Sequence, residues 1–153
     1  SISCAVLLAA VALCAEGDRL SKEQKAEIQK LQGTWILTTW EEAGIPKPED
    51  QFKPFNTRIV IDGTNLHRKQ SAPDGSEVDK QLEFSVDPEK DPKRLTLKLG
   101  DQQIQAIYKL DGDTLTICLD RDQGAAPSEF KTAPNTRFRL DVYKRSRPDG
   151  ADR

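Results

Sequence analysis

From Trp35 onward, apolar residues recur at every second position. Leu82, Phe84 and Val86 alternate with polar or charged neighbours, as do Leu95, Leu97 and Leu99. Ile104, Ala106, Tyr108 and Leu110 alternate with Gln103, Gln105 and Lys109. Leu115, Ile117 and Leu119 alternate with Thr114, Thr116 and Cys118, and Phe138, Leu140 and Val142 with Arg137, Arg139 and Asp141. A period of two marks strands that put one face on a core and one in water, as antiparallel sheets allow. The apolar set of each strand is therefore expected to face inward. Asp62-Gly63 and Asp111-Gly112 punctuate the runs. In such a dipeptide the glycine supplies the positive φ of a tight hairpin. Asp87 to Arg94, with Pro88 and Pro92, reads as a longer connection.

The pattern predicts about eight strands in sequence, joined by short or moderate links. Closing such a meander into a barrel removes its exposed edges. The expected fold is all-β: an antiparallel up-and-down barrel of about eight strands with a short helix in front. A barrel of this size either fills with side chains or holds one small ligand.

A different pattern precedes the strands. Ser21-Lys22-Glu23-Gln24 is a capping box, with Ser21 as N-cap and Gln24 reaching back. Ala26, Ile28 and Leu31 then share one face of a helix, which Gly33 is placed to end. Ser1 to Ala15 carry no charge and are dominated by Ala, Val and Leu. This run is too short to span a bilayer and matches the apolar region of a secretory signal. It lacks an initiating Met and a basic flank, which reads as a truncated start. Val11-Ala12-Leu13-Cys14 resembles a lipobox with Cys14 as the acylated residue, although Leu13 is bulky for its position. Cleavage without lipid and an uncleaved anchor are the alternatives. The expected organisation is a signal-like segment over 1–15 and a linker with a short helix over 16–32. The barrel follows over 33–146, with a frayed tail over 147–153, in a periplasmic or secreted protein.

The 153 residues suit a single domain. A formal net charge of -2 leaves no basic field for nucleic acid. Membrane contact is expected only through the leader or a lipid on Cys14. After the leader Cys118 is the only cysteine, so no internal disulfide is available there, and a lone thiol in a strand reads as a small buried hydrophobe. The chain has no Walker-type loop, Gly-x-Gly-x-x-Gly or Gly-x-Ser-x-Gly, and no carboxylate pair is singled out. No catalytic residue, cofactor or metal is expected. Asp111 and Asp113 read as turn residues, and Asp120 to Gly124 lacks the acids of a calcium loop. His67, the single histidine, reads as a solvated surface residue.

Gly33-Thr34-Trp35, between helix and first strand, resembles the lipocalin signature. The resemblance implies that Trp35 seals the closed end of the barrel beneath a basic residue from the last strand. Arg139 and Arg145 are the candidates. A closer resemblance spans nearly the whole chain after the leader. Leu31 to Trp35, Glu41 to Gly44, Tyr108 to Leu119, Pro127 to Phe130 and Val142 to Arg145 occur in this order. Together they are similar to a lipocalin-like domain family found mainly in planctomycete bacteria. That family implies the barrel and brings no established activity. Ala126 stands where the family commonly carries Arg.

The functional expectation is a non-enzymatic barrel that binds a small apolar or amphipathic ligand. Leu37, Phe84, Leu97, Tyr108 and Ile117 are the expected interior, with Tyr108 as a polar handle. Trp40 has the opposite parity to Trp35 unless a bulge intervenes, and reads either as a mouth residue or as cover for the helix. Phe130, in a long loop, reads either as a closure over the opening or as an anchor for the loop itself. The rival expectation is an interaction or inhibitory module with a filled barrel. Its working surface would be the loops 45–55 and 122–135.

Overall fold

The computed structural model describes residues 19–147. The signal-like run with Cys4 and Cys14, and the tail from 148, lie outside the described residues. Helix α1 (Lys22–Leu31) begins as the capping box dictates. The Ser21 hydroxyl accepts from the Gln24 backbone N–H, and the Gln24 side chain accepts from that of Ser21. The helix ends just before Gly33, as the pattern suggests. Gln32 is its C-cap, in extended conformation, and Gly33 already opens the first strand with φ 120°. The Gln32 side chain fixes this corner by exchanging hydrogen bonds with both backbone groups of Gly63.

Strand β1 (Gly33–Glu42) is followed by the two-residue β2 (Ile45–Pro46) and two 3-10 turns at Glu49–Gln51 and Lys53–Phe55. Then come β3 (Arg58–Asp62), β4 (Asn65–Ser71), β5 (Glu77–Asp87) and β6 (Arg94–Leu99). The chain finishes with β7 (Gln102–Asp111), β8 (Thr114–Asp120) and β9 (Phe138–Arg145). From β3 to β9 each strand pairs antiparallel with the next, and β1 pairs with both β3 and β9. Eight strands thus close into an up-and-down barrel, with β2 a short extension on the end of β1.

Where β1 meets β9 the register slips by one residue. Leu37 lies opposite Tyr143, but Thr39 lies opposite Val142, so Thr38 is the extra residue of a bulge. Trp35 and Leu37 are buried before it, Thr39 is exposed after it, and Trp40 packs against the interior cluster. The bulge resets the parity and brings both tryptophans inside.

The end nearest α1 is solid. Trp35 is fully buried, and its indole N–H donates to the Leu31 carbonyl over 2.9 Å. Of the two candidate arginines it is Arg145 that covers it, with the guanidinium carbon 4.1 Å from the ring centroid. The same guanidinium donates to the carbonyls of Lys30 and Gln32 and to Asp113. It therefore caps the helix C-terminus and joins last strand to first. A Cβ on Gly33 would lie 3.3 Å from that guanidinium, so the glycine of the signature makes room for it.

Glu27 pins the helix from its other face. It is 5% exposed and accepts from the Tyr108 hydroxyl at 2.9 Å and from Lys93 at 2.8 Å. Burial pushes the Glu27 carboxyl up, but its bonds to Lys93, Tyr108 and Lys30 outweigh this and hold it below the usual range. Burial and the Glu27 carboxylate in turn push the Tyr108 phenol far up.

The structure corrects two strand and loop expectations. In β9 it is Arg139, Asp141 and Tyr143 that face inward, leaving Phe138, Leu140 and Val142 on the outer surface. Arg145 covers the buried Trp35, and the unbroken alternation of β9 from that residue turns Tyr143, Asp141 and Arg139 inward. The loop between β8 and β9 is likewise no lid. It lies on the outer wall, where Cys118 meets the Lys131 carbonyl and Pro127 is buried. Cys118 and its cross-strand partner Ile107 are fully buried yet lie outside the interior cluster. Thr132 ties the loop to the β1–β2 hairpin, donating to Glu41 at 2.6 Å and accepting from Gly44 N–H at 2.8 Å.

Substitutions at two residues probe this end. Arg145→Ala is expected to lower unfolding stability by about 1–3 kcal/mol, and Arg145→Lys to recover less than half of that, because an ammonium cannot serve two carbonyls and a ring face together. Urea unfolding checks both. Glu27→Gln is expected to cost about 2 kcal/mol at neutral pH. Since Glu27 is held low in the folded state, the gap to the unsubstituted protein should close as pH falls through that lowered value.

Candidate functional site

The opposite end is hollow. Residues on alternate positions of seven strands, β3 to β9, surround a cavity of about 260 Å³ that opens away from α1. Leu82, Leu97, Leu99, Ile104, Ile117 and Leu119 form its apolar wall, from β5 to β8. Arg68 of β4 and Arg139, Asp141 and Tyr143 of β9 form the facing polar wall. Leu66 and Ile117 are its floor, since both also line a void of only about 10 Å³ among Leu31, Phe84, Leu95, Tyr108 and Leu115. The barrel is thus packed below Leu66 and Ile117 and empty above them.

A second cavity of about 240 Å³ adjoins the first and shares Arg68 and Arg139 with it. Its cover is the segment between β2 and β3. The two 3-10 turns drop Phe52 inward, where it is 3% exposed and meets Trp40 edge-on at 6.4 Å between centroids. Here β1 has left β3, the last bond between them being Leu37 N–H to the Thr57 carbonyl. Phe52 fills the gap so formed.

Trp40 carries two features of a binding residue. Arg139 stacks on it at 4.7 Å, repeating at the open end the Arg145–Trp35 pairing of the closed end. Its indole N–H is buried and has no hydrogen-bond partner. A buried donor without an acceptor costs about 1–3 kcal/mol, which an acceptor on a bound molecule would offset.

Asp141, 5% exposed, is the acid of the polar wall. Arg139 Nε donates to both its oxygens at 2.9 and 3.0 Å, and the Tyr143 hydroxyl donates over 3.3 Å. Burial nevertheless pushes the Asp141 carboxyl up, against the attraction of Arg139 and the more distant Arg68. Burial, reinforced by Asp141, also raises the Tyr143 phenol. Arg139 is held fully charged: burial disfavours the cation, and Asp141 outweighs it.

The sequence-expected residues divide between the two ends. Leu37, Trp40, Leu97 and Ile117 line the cavities. Phe84 and Tyr108 belong to the packed end, and the Tyr108 hydroxyl is engaged by Glu27, so it is no handle for a ligand. Phe130 is not at the opening. It lies under the outward-facing Lys109, 4.8 Å from its ammonium, as an anchor for the loop. Arg68, Asp141, Tyr143 and Phe52 escaped the sequence reading, although charges at alternate positions of an otherwise apolar strand were a usable signal in β9.

The remaining candidates are occupied elsewhere. Asp113 pairs with Arg145 and Arg147, Asp122 with Arg137, and His67 with Asp79 on the surface. Among the described residues no group of three metal-ligating side chains converges, and no helix is long and apolar enough to cross a membrane.

No protein-family model and no curated protein matches the chain. Among solved structures, that of the fluorescent protein UnaG is similar at a TM-score of 0.39 and 12% identity, over 78% of this chain and 99% of that one. A mutant of UnaG matches at the same score and identity, with 98% of its chain covered.

The charge on Asp141 carries a testable sign. Its folded value is raised, so its contribution to stability is largest in acid and declines as pH rises above the ordinary Asp value of about 4. The stability of the unsubstituted protein minus that of Asp141→Asn should therefore fall as pH rises through that window. Urea midpoints of the two proteins across pH give the measurement.

Proposed function

We propose that the chain is a non-enzymatic, exported container for one small amphipathic molecule. The observation that carries this reading is the division of the open half into an aliphatic wall and a polar wall around about 260 Å³. That volume lies just under the low end of small-molecule pockets, about 300 Å³, and suits a single small guest. Burial of the guest's apolar part against six aliphatic side chains would supply the affinity, at about 25 cal/mol per Å². Export rests on the uncharged run over 1–15. Kinship with the lipocalin-like family of planctomycete bacteria rests on the ordered motifs from Leu31 to Arg145.

The rival reading, an interaction module, is favoured by Ile45 and Phe55, which are 62% and 40% exposed on the segment covering the opening. The two readings diverge in one titration. An environment-sensitive fatty-acid analogue added to the full chain should bind saturably, one to one, and change the fluorescence of Trp40. Trp40→Phe should abolish the fluorescence change. Leu97→Trp, which fills the cavity, should weaken binding by at least about tenfold while the protein stays folded. A folded protein that takes up no probe would sink the container reading and leave the module.

A further inference from the structure

The walls of the open cavity carry a charge imbalance that the fold does not resolve. Arg68, Lys80, Arg121 and Arg139 line it against one carboxylate, Asp141. Arg121 is answered from outside the cavity by Glu42 at 3.3 Å. Arg139 is answered through Nε alone, leaving its two terminal nitrogens without a carboxylate. None of the ion pairs among the described residues includes Arg68 or Lys80. The side chain of Arg68 makes one hydrogen bond among the described residues, a long one of 3.4 Å to Gln70.

These two cations also oppose each other directly, as cross-strand partners in the β4–β5 ladder. Like charges at such a position destabilise a sheet. The arrangement is the more unusual in a chain whose formal net charge is -2. A concave, low-dielectric site lined by one sign of charge concentrates ligands of the other sign. Arg68 and Arg139 are shared by both cavities, and the ring of Trp40 lines the one beneath Phe52. Two guanidiniums therefore meet where the cavities join, at the edge of the aliphatic wall.

We propose that the guest is a single-tailed amphiphile with an anionic head group, held between Arg68, Lys80 and Arg139 with its tail against Leu97 and Leu119. The proposal rests on the container reading and adds the sign of the head group and the residues that choose it. Carboxylate and sulfate both fit, since a guanidinium binds either through paired N–H donors. Asp141 has a defined part. It holds Arg139 through Nε and leaves the two terminal nitrogens of the guanidinium for the head group.

The test uses four probes with one tail: decanoate, decyl sulfate, decanol and decyltrimethylammonium, each below its micellar concentration, competed against the fatty-acid analogue on the full chain. Decanoate and decyl sulfate should bind at least about tenfold tighter than decanol, and the ammonium weakest. Arg68→Gln and Lys80→Gln each sit on the polar rim, away from the packed end. Each should weaken both anions about five- to tenfold and leave decanol unchanged. Raising the salt should narrow the gap between decanoate and decanol. Decanol binding as tightly as decanoate, or the ammonium binding best, would overturn the head-group assignment while the container stands. Failure of all four probes on a folded protein would remove the container as well. Anion affinity untouched by both glutamine substitutions would place the head group elsewhere.

Discussion

The Arg145 guanidinium, seated on the Trp35 ring, is the contact on which the rest of the barrel depends. It meets the last strand, the first strand and the end of the helix at one point. An up-and-down barrel has no crossover to hold it shut, so closure rests on the pairing of its two terminal strands. Here that pairing is fixed at its lower end by a stacked, hydrogen-bonded arginine. Everything above it follows from the registration so imposed. With Trp35 opposite Arg145, one bulge at Thr38 is enough to turn Trp40 inward and to bring Arg139 onto it. The polar wall of the cavity is thus a consequence of the lock at the other end.

Two buried carboxylates display the different demands on the two ends. Glu27 and Asp141 are equally hidden, each 5% exposed. Glu27 is surrounded by two lysines and a phenol, and its charge is welcome. Asp141 has one arginine and one phenol at hydrogen-bond range, and burial wins. The first is the signature of a group that secures the fold. The second is a group whose charge its surroundings disfavour, an environment common at functional sites.

The fold was largely legible in the chain. Period two, the Asp-Gly turns and the capping box at Ser21 are local signals, and each strand from β5 to β8 carries its own. The candidate site was only half legible. Leu97 and Ile117 could be placed because their strands alternate cleanly. Tyr108 could not, because nothing local says that Glu27, far off in sequence, will claim its hydroxyl. β9 was read inside out, since hydrophobicity there favours Phe138, Leu140 and Val142. The lock of Arg145 on Trp35 and the unbroken alternation of β9 overrule it, and the cluster of Arg139, Asp141 and Tyr143 goes inside. Phe130 left two readings open, and its place on the outer wall decides for the anchor. A long loop with an aromatic suggests a lid, yet Ile107 and Cys118 had to be covered on the outer wall first.

The layer of Leu66 and Ile117 has a consequence for which guests the barrel prefers. It is the floor of the cavity and the roof of the packed end at once. A flexible tail threading downward from the polar rim meets a hard stop there, because the space beneath is already close-packed. A barrel holding such a guest would therefore measure its length. Below a certain number of methylenes each added carbon gains contact, and beyond it the surplus has to fold back or protrude into water. Changing which length fits would need no change at the rim, only a smaller or larger side chain at one of two positions in the floor.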